Sequence, residues 1–159
     1  MRRWLLFILL FLPSVLLAQD ADRVLGLWQN ETKDKVVEIY KANGKYYGRI
    51  HWLKDPKNPD GSWRRDIHNN DPSLRSRVLL GMDVFKNFSY DDDEWVSGEI
   101  YSEYSGNTYN AKMWLSGNQL KVKGYLGFLW FLGRDFFRCS QRMKNIGGKL
   151  TCWTPYQKA

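Results

Sequence analysis

From about residue 25 onward the chain is cut into short alternating runs by tight-turn sequences, and that rhythm decides most of what it can fold into. Asn43-Gly44, Ser105-Gly106-Asn107 and Gly117-Asn118 each separate two strand-like runs. Asn-Gly is a strong hairpin signal because the tightest turns need positive φ at both central residues, which Asn tolerates and Gly adopts freely. Between the turns, apolar residues recur at every second position. In Gln119 to Leu126, Leu120, Val122, Gly124 and Leu126 alternate with Gln119, Lys121, Lys123 and Tyr125, the pattern of a strand with one buried face. Thr108 to Leu115 repeats it with Tyr109, Ala111, Met113 and Leu115. Leu25 to Asn30, Val36 to Lys41, Lys45 to Leu53, Leu80 to Phe88 and Glu94 to Tyr101 read as further strands, with Tyr46, Ile50 and Trp52 expected on one face of the third and Asp91-Asp92-Asp93 at a hairpin tip. Runs near Gly133 to Ser140 and Lys149 to Thr154 complete the series. Eight or so short strands at regular spacing predict a sandwich or a closed barrel. A meander joined by hairpins closes on itself and so removes its exposed edges. The expectation is therefore all-β, an antiparallel up-and-down barrel of about eight strands.

The first 18 residues are of another kind. Arg2 and Arg3 precede the apolar run Trp4 to Leu12, and Leu16-Leu17-Ala18 approaches a cleavage point, the three-part pattern of a secretory signal peptide. The run is shorter than the ~20 apolar residues of a membrane span, and Pro13 interrupts it. No Cys follows it to accept a lipid. Residues 1–18 are thus expected to be a signal and 19–159 a single domain, periplasmic or secreted. Without Arg2 and Arg3 the chain keeps 22 basic against 17 acidic side chains, a net charge of +5. These charges are interspersed and form no basic stripe of the kind that tracks nucleic acid. Two cysteines, Cys139 and Cys152, in an exported chain predict a disulfide. It would close a loop of about 14 residues, worth ~3 kcal/mol in the chain-entropy model, with Gly147-Gly148 supplying the turn between them.

One stretch breaks the strand rhythm. Lys54 to Arg77 is rich in Asp, Asn, Pro and Arg, and loops beyond ~12–15 residues are usually functional or disordered. Asp66, Asn69, Asn70 and Asp71 offer hard oxygen donors. They lack the regular spacing and closing Glu of a calcium loop, and Asn, Asp and Pro are also what ordinary turns use. Arg75 and Arg77 are expected to pair with these carboxylates and pin the loop over a barrel mouth, although the same guanidinium groups suit an anionic ligand. His51 and His68 are the only histidines. His68, flanked by Asp66 and Asp71, has the composition of an acid/base pair, but no G-x-S-x-G motif or activated Cys accompanies it. The expectation is a non-enzymatic protein with no cofactor and no metal.

Aromatic residues suggest binding more strongly. Eight Trp, nine Tyr and eight Phe are a heavy load for one small core. Apolar pockets with a few placed polar groups are what small-molecule sites present. Tyr46, Trp52 and Tyr109 from the strands, with Asp71 and Arg75 from the loop, are the candidate contacts for a small hydrophobic or amphipathic ligand. Equally open is a core packed solid by its own rings, as small barrels can be. The apolar run Tyr125 to Leu132 is too short to span a bilayer. It suits burial first, then a partner interface or contact with a membrane surface.

Several segments in a fixed order resemble one family. Val24-Leu25-Gly26-Leu27-Trp28, Tyr47-Gly48-Arg49-Ile50, Asn69-Asn70-Asp71-Pro72 with Leu74-Arg75-Ser76-Arg77 and Gly81, Gly98-Glu99-Ile100-Tyr101, Ser105-Gly106-Asn107-Thr108-Tyr109, Leu120 to Tyr125 and Gly133-Arg134 together look like the bacterial exported family known as domain of unknown function 2147. The resemblance implies a signal, a lipocalin-like barrel and no established biochemical activity. Gly26-Leu27-Trp28 is similar to the G-x-W of lipocalins and related calycin barrels, where the Trp packs across one barrel end beneath a late Arg. Arg138 or Arg142 would take that place here. The chain departs from the family at its end, where Phe136-Phe137-Arg138-Cys139 and a Cys-bearing extension replace a Trp-x-Arg-like strand. That departure leaves open which Arg closes the barrel and makes the disulfide a local addition.

Overall fold

Among the described residues nine antiparallel strands follow one another in a single meander: β1 (Gly26–Asn30), β2 (Lys35–Ala42), β3 (Lys45–Leu53), β4 (Asp83–Asp91), β5 (Glu94–Ser102), β6 (Asn107–Ser116), β7 (Gln119–Tyr125), β8 (Phe137–Ile146) and β9 (Lys149–Cys152). The structure is a computed structural model that describes residues 20–125, 137–146 and 149–152, the last two segments as backbone. The expected signal peptide and the apolar run beyond Tyr125 lie outside the described residues. Each strand pairs with the next, and β1 also pairs with β8, which closes the first eight into a barrel. β9 pairs antiparallel with β8, Ile146 opposite Lys149 and Met143 opposite Cys152.

The hairpins form where the turn chemistry demands. Asn43 and Gly44 have φ of 50° and 73°, so both central residues of the β2–β3 turn are left-handed. Closing the barrel needs more than tight turns. Asn87 and Ser97, at φ 63° and 55°, are non-glycine residues in left-handed conformation within β4 and β5. Around them the buried side chains step by three positions instead of two, from Phe85 to Phe88 and from Trp95 to Gly98. Such bulges coil a strand more tightly and let a flat sheet curl.

A further register shift lies between β2 and β3, where Val36 pairs with Trp52 and Val37 with Ile50, skipping His51. This changes which residues of β3 turn inward. Tyr46 and Ile50 are buried, but the next core residue is Leu53, and Trp52 is half-buried outside the core cluster. The expectation that Trp52 shares a face with Tyr46 and Ile50 is thereby corrected.

Trp28, Trp95, Tyr46, Phe85 and Phe88 are the largest fully buried side chains, and they join Ile39, Ile50, Met113 and Leu120 in one contiguous core. Packing is close enough that two glycines are required for space. A Cβ on Gly98 would sit 2.3 Å from the Phe88 ring, and one on Gly48 2.7 Å from Phe85.

The cysteines do not meet. Cys139 is registered with Leu120 and Asn30, and Cys152 with Met143, four positions further along β8. At ~3.3 Å per residue this is roughly 13 Å, against the ~7 Å limit between Cα atoms that a disulfide can bridge. The expected Cys139–Cys152 bridge is not formed. Register also sets Arg142 opposite Trp28, whereas Arg138 is opposite Lys121.

Candidate functional site

The two ends of the barrel are closed in different ways. At the end bearing the β2–β3, β4–β5 and β6–β7 hairpins, a short helical turn from residue 20 to 24 is tied down from several sides. Trp28 Nε1 donates to the Val24 carbonyl at 2.7 Å, and Trp95 Nε1 to the Ala21 carbonyl at 3.1 Å. Tyr46 packs edge-on to Trp95 and donates its hydroxyl to Asp22 at 2.7 Å. Lys41 Nζ adds a bond of 2.8 Å to Asp22, and Arg23 reaches Asp93 at 2.7 Å. These partners, Lys41 first and then Tyr46, hold the Asp22 carboxyl below its usual range. The result is a plug of two indoles, a phenol and the fully buried Val24.

The opposite end is covered by residues 54–82, longer than the Lys54–Arg77 stretch read from sequence because β4 begins only at Asp83. This segment is ordered by its own hydrogen bonds. Lys57 and Trp63 form one bridge, Arg65 and Val78 another, and Leu79 donates to the Arg64 carbonyl at 3.0 Å. At its centre Asp66 is completely buried. Its Oδ2 accepts from Arg77 Nε at 3.0 Å, Arg77 Nη2 at 2.8 Å and Asn69 Nδ2 at 2.8 Å; its Oδ1 accepts from the Tyr101 hydroxyl at 2.5 Å. A buried carboxylate is tolerated only when its lone pairs are satisfied in this way. Burial first, and then the bond to Asp66, raises the Tyr101 phenol above its usual value. Tyr101 belongs to β5, so the network fastens the cap to the barrel wall.

The cap also meets the β5–β6 turn, at a close backbone approach. Gly106, in the β5–β6 turn at φ 70°, lies so close to the cap that a Cβ there would fall 1.8 Å from the His68 carbonyl oxygen. Asn70 Nδ2 then donates to Asn107 Oδ1 at 2.8 Å. The segments that carry the family resemblance therefore meet in space: the Asn69 to Arg77 stretch lies on the Ser105-Gly106-Asn107 turn and on Tyr101.

The sequence-derived contacts are not gathered in one place. Tyr46 belongs to the plug at the far end. Asp71 accepts from the Ser73 amide at 2.9 Å and its hydroxyl at 2.8 Å, capping the short helix Pro72–Leu74, and these bonds hold its carboxyl below the usual range. Arg75 donates to the Asn69 carbonyl at 2.7 Å, so its partner is backbone and not a carboxylate. Of the two expected pinning arginines, Arg77 makes the ion pair. Tyr109 is half-buried against the core, with its hydroxyl 3.4 Å from Ser105 Oγ. No ion pair among the described residues joins His68 to Asp66, whose oxygens are engaged as above, or to Asp71, whose Oδ1 accepts from Ser73. No group of three His, Cys, Asp or Glu side chains is placed to hold a metal among the described residues.

What sequence reasoning missed lies on the outer surface of the cap. Among the described residues the large hydrophobics left exposed are Trp63 at 43%, Ile67 at 63%, Leu74 at 38% and Tyr104 at 68%, all at this end. Trp63, Ile67 and Tyr104 line a pocket of about 180 Å³ with Arg64, Arg65 and His68. Beneath it Lys35 and Glu103 form a buried ion pair. Burial pushes the Lys35 ammonium down to about 8. The available signal was a Trp in the middle of a polar loop and a Tyr at a hairpin tip, positions where a ring has no strand face to pack on.

A closed antiparallel barrel with an N-terminal plug and one long capping loop is a lipocalin-like architecture. Protein HP1028 from the human pathogen Helicobacter pylori, described as belonging to the lipocalin family, superposes with a TM-score of 0.65 at 22% identity, covering 84% of this chain and 93% of that one. The family model described as an uncharacterized protein conserved in bacteria (DUF2147) matches residues 26–138, and the chain belongs to that family. No curated protein matches it.

Proposed function

We propose that the protein is an exported, non-enzymatic binding domain of lipocalin type, which holds a small hydrophobic or amphipathic molecule at the barrel end covered by residues 54–82. One observation carries this reading: the exposed large hydrophobics of the described residues collect at that end, beside two arginines, on a segment locked in place by a buried ion pair. A rigid cap that turns Trp63 and Ile67 outward leaves apolar area uncovered that a ligand would cover. Export rests on the sequence of the first 18 residues. Native mass spectrometry of protein purified from its own host tests the reading. A reproducible bound mass supports it, and a chain that stays empty after challenge with lipids and small amphiphiles contradicts it.

A second reading is a structural module of the cell envelope with a solid core and no ligand. The Phe88 ring over Gly98 and the fully buried Trp28, Trp95 and Tyr46 favour it, because they fill the described part of the interior. An empty chain that is captured by an envelope component through the capped end would select this alternative.

A further inference from the structure

We propose that the pocket between the cap and the β5–β6 turn is a site for a small organic anion bearing one flat apolar ring, its charged group on Arg64 and Arg65 and its ring against Trp63 and Tyr104. The inference rests on the reading that this end of the barrel binds a ligand, and adds the site and its chemical class.

Size sets the first limit. A pocket of about 180 Å³ falls below the ~300–1,000 Å³ of drug-sized sites, so it can enclose a single ring but not a long acyl chain. The walls set the second. Trp63, Tyr104, Ile67 and Leu79 supply apolar surface, with Asn58, Ser62 and His68 between them. Two aromatic side chains in one small pocket suit a planar partner, which they can contact by stacking or by edge-to-face packing.

Charge sets the third. Among the described residues of the lining the one carboxylate is Glu103, and the Lys35 ammonium already engages it. Asp60, adjacent in sequence to the pocket, accepts from the Ser62 amide at 2.9 Å and its hydroxyl at 2.6 Å. Against these stand Arg64 and Arg65. Arg64 donates to the Asp55 carbonyl at 3.3 Å and Arg65 to the Ser76 carbonyl, so each guanidinium, with five N–H donors, keeps others for a ligand. One further cation backs a ring, Lys57 at 5.0 Å from the Trp63 centroid; Lys35, at 5.3 Å from that of Tyr104, is balanced by Glu103. The excess positive charge is therefore local to the apolar walls, and a carboxylate on an aromatic ring satisfies both at once.

The probes are benzoate, its neutral relative benzamide, and inorganic phosphate, each titrated into isotope-labelled protein and followed by amide and indole NMR shifts. Benzoate is expected to move the Trp63 indole and the amides of residues 62–68 and 103–106. Benzamide, which lacks the charge, and phosphate, which lacks the ring, should each bind about tenfold more weakly or worse. Arg64→Gln and Trp63→Ala should each weaken benzoate about tenfold while leaving the thermal unfolding curve in place. Equal binding of benzamide, shifts confined to barrel-interior residues such as Ala111 and Met113, or no response to benzoate would overturn the proposal. Failure of the broader reading is distinguishable. A molecule that copurifies with wild type and remains bound in Trp63→Ala contradicts binding at this end. A copurified molecule lost from Trp63→Ala, with benzoate ignored, contradicts only the anionic-ring class.

Discussion

The two ends of this barrel solve the same problem with opposite materials. Closing a barrel end requires covering an apolar interior and satisfying the backbone groups around the rim. The plug at residues 20–24 does so with Trp28, Trp95 and Tyr46, which face inward and donate to carbonyls or to Asp22 at their polar tips. The cap at 54–82 does so with a buried carboxylate, an arginine and an asparagine, and it points Trp63 and Ile67 at solvent. An end built for stability alone has no need to bury Asp66 and expose Trp63. Buried polar networks give a segment one fixed geometry when all their members are satisfied, and fixed geometry is what a binding surface needs. On the proposed function, the inverted polarity of the cap makes it the end that binds.

The largest expected effect tests how the cap is docked. In Gly106→Ala the added Cβ would lie 1.8 Å from the His68 carbonyl oxygen, at a φ of 70° that L side chains rarely adopt. Backbone against backbone cannot yield by a rotamer change. Stability should fall by about 3 kcal/mol or more, and limited proteolysis should cut first within 54–82 while the plug end stays protected. Uniform protection of the cap in this variant would break the comparison.

Next comes the charge at the centre of the cap. Asp66→Ala leaves Arg77 without its partner and removes the acceptor of Tyr101 and one of the two acceptors of Asn69. Breaking a buried pair costs ~3–5 kcal/mol, and the third of the Arg77 side chain that remains exposed argues for the lower end of that range. The matching change in the plug, Tyr46→Phe, removes one hydrogen bond of many and should cost about 1 kcal/mol. Urea unfolding of both variants measures the ratio, and equal losses would mean that the ends are fastened alike.

Both ends share one weakness, exposed by alkali. Tyr46 and Tyr101 are each raised above their ordinary value near 10, by burial first and then by the carboxylate they donate to, Asp22 and Asp66 respectively. Tyr40, in the wall between, is pushed up to about 12 by burial and by Asp83. The unfolded chain loses these protons near pH 10 while the folded chain keeps them. Their contribution to stability is therefore complete below pH 10 and is lost as pH rises above it, that of Tyr40 by about pH 12. Circular dichroism against pH should show this limb, shallower in Tyr101→Phe, and an unchanged slope in that variant would remove Tyr101 from the account.

The smallest stability effect belongs to the surface proposed to bind. Trp63→Ala with Tyr104→Ala should change stability by no more than about 1 kcal/mol, because Tyr104 lies largely in water and Trp63 is 43% exposed. A loss of several kcal/mol would show that they hold the cap down.

The strands and hairpins were legible in sequence because each depends on neighbours. Asn43-Gly44 dictates its turn, and the alternation through Leu120, Val122 and Gly124 is all buried on one side. The bulges were not legible, since nothing local distinguishes Asn87 or Ser97 from other polar strand residues, and period-2 reading then misplaced Trp52. The position of the long loop was plain, and so was the pairing of Arg77 with a carboxylate. The lock itself was hidden, because Tyr101 is 35 residues from Asp66 and only the closed barrel brings them together. The cysteine pair was inferred from count and compartment, which carry no register; β9 sets Cys152 against Met143. Trp63 and Tyr104 were missed because a sequence of many aromatics does not say which rings remain in water.

The central claim is that the capped end, and not the filled interior, carries the binding surface. Native mass spectrometry on protein from its own host, wild type beside Trp63→Ala/Tyr104→Ala, tests it most directly. The account predicts a bound mass on wild type and an empty, folded double variant. The same mass retained by the double variant, or an empty wild type, would contradict it.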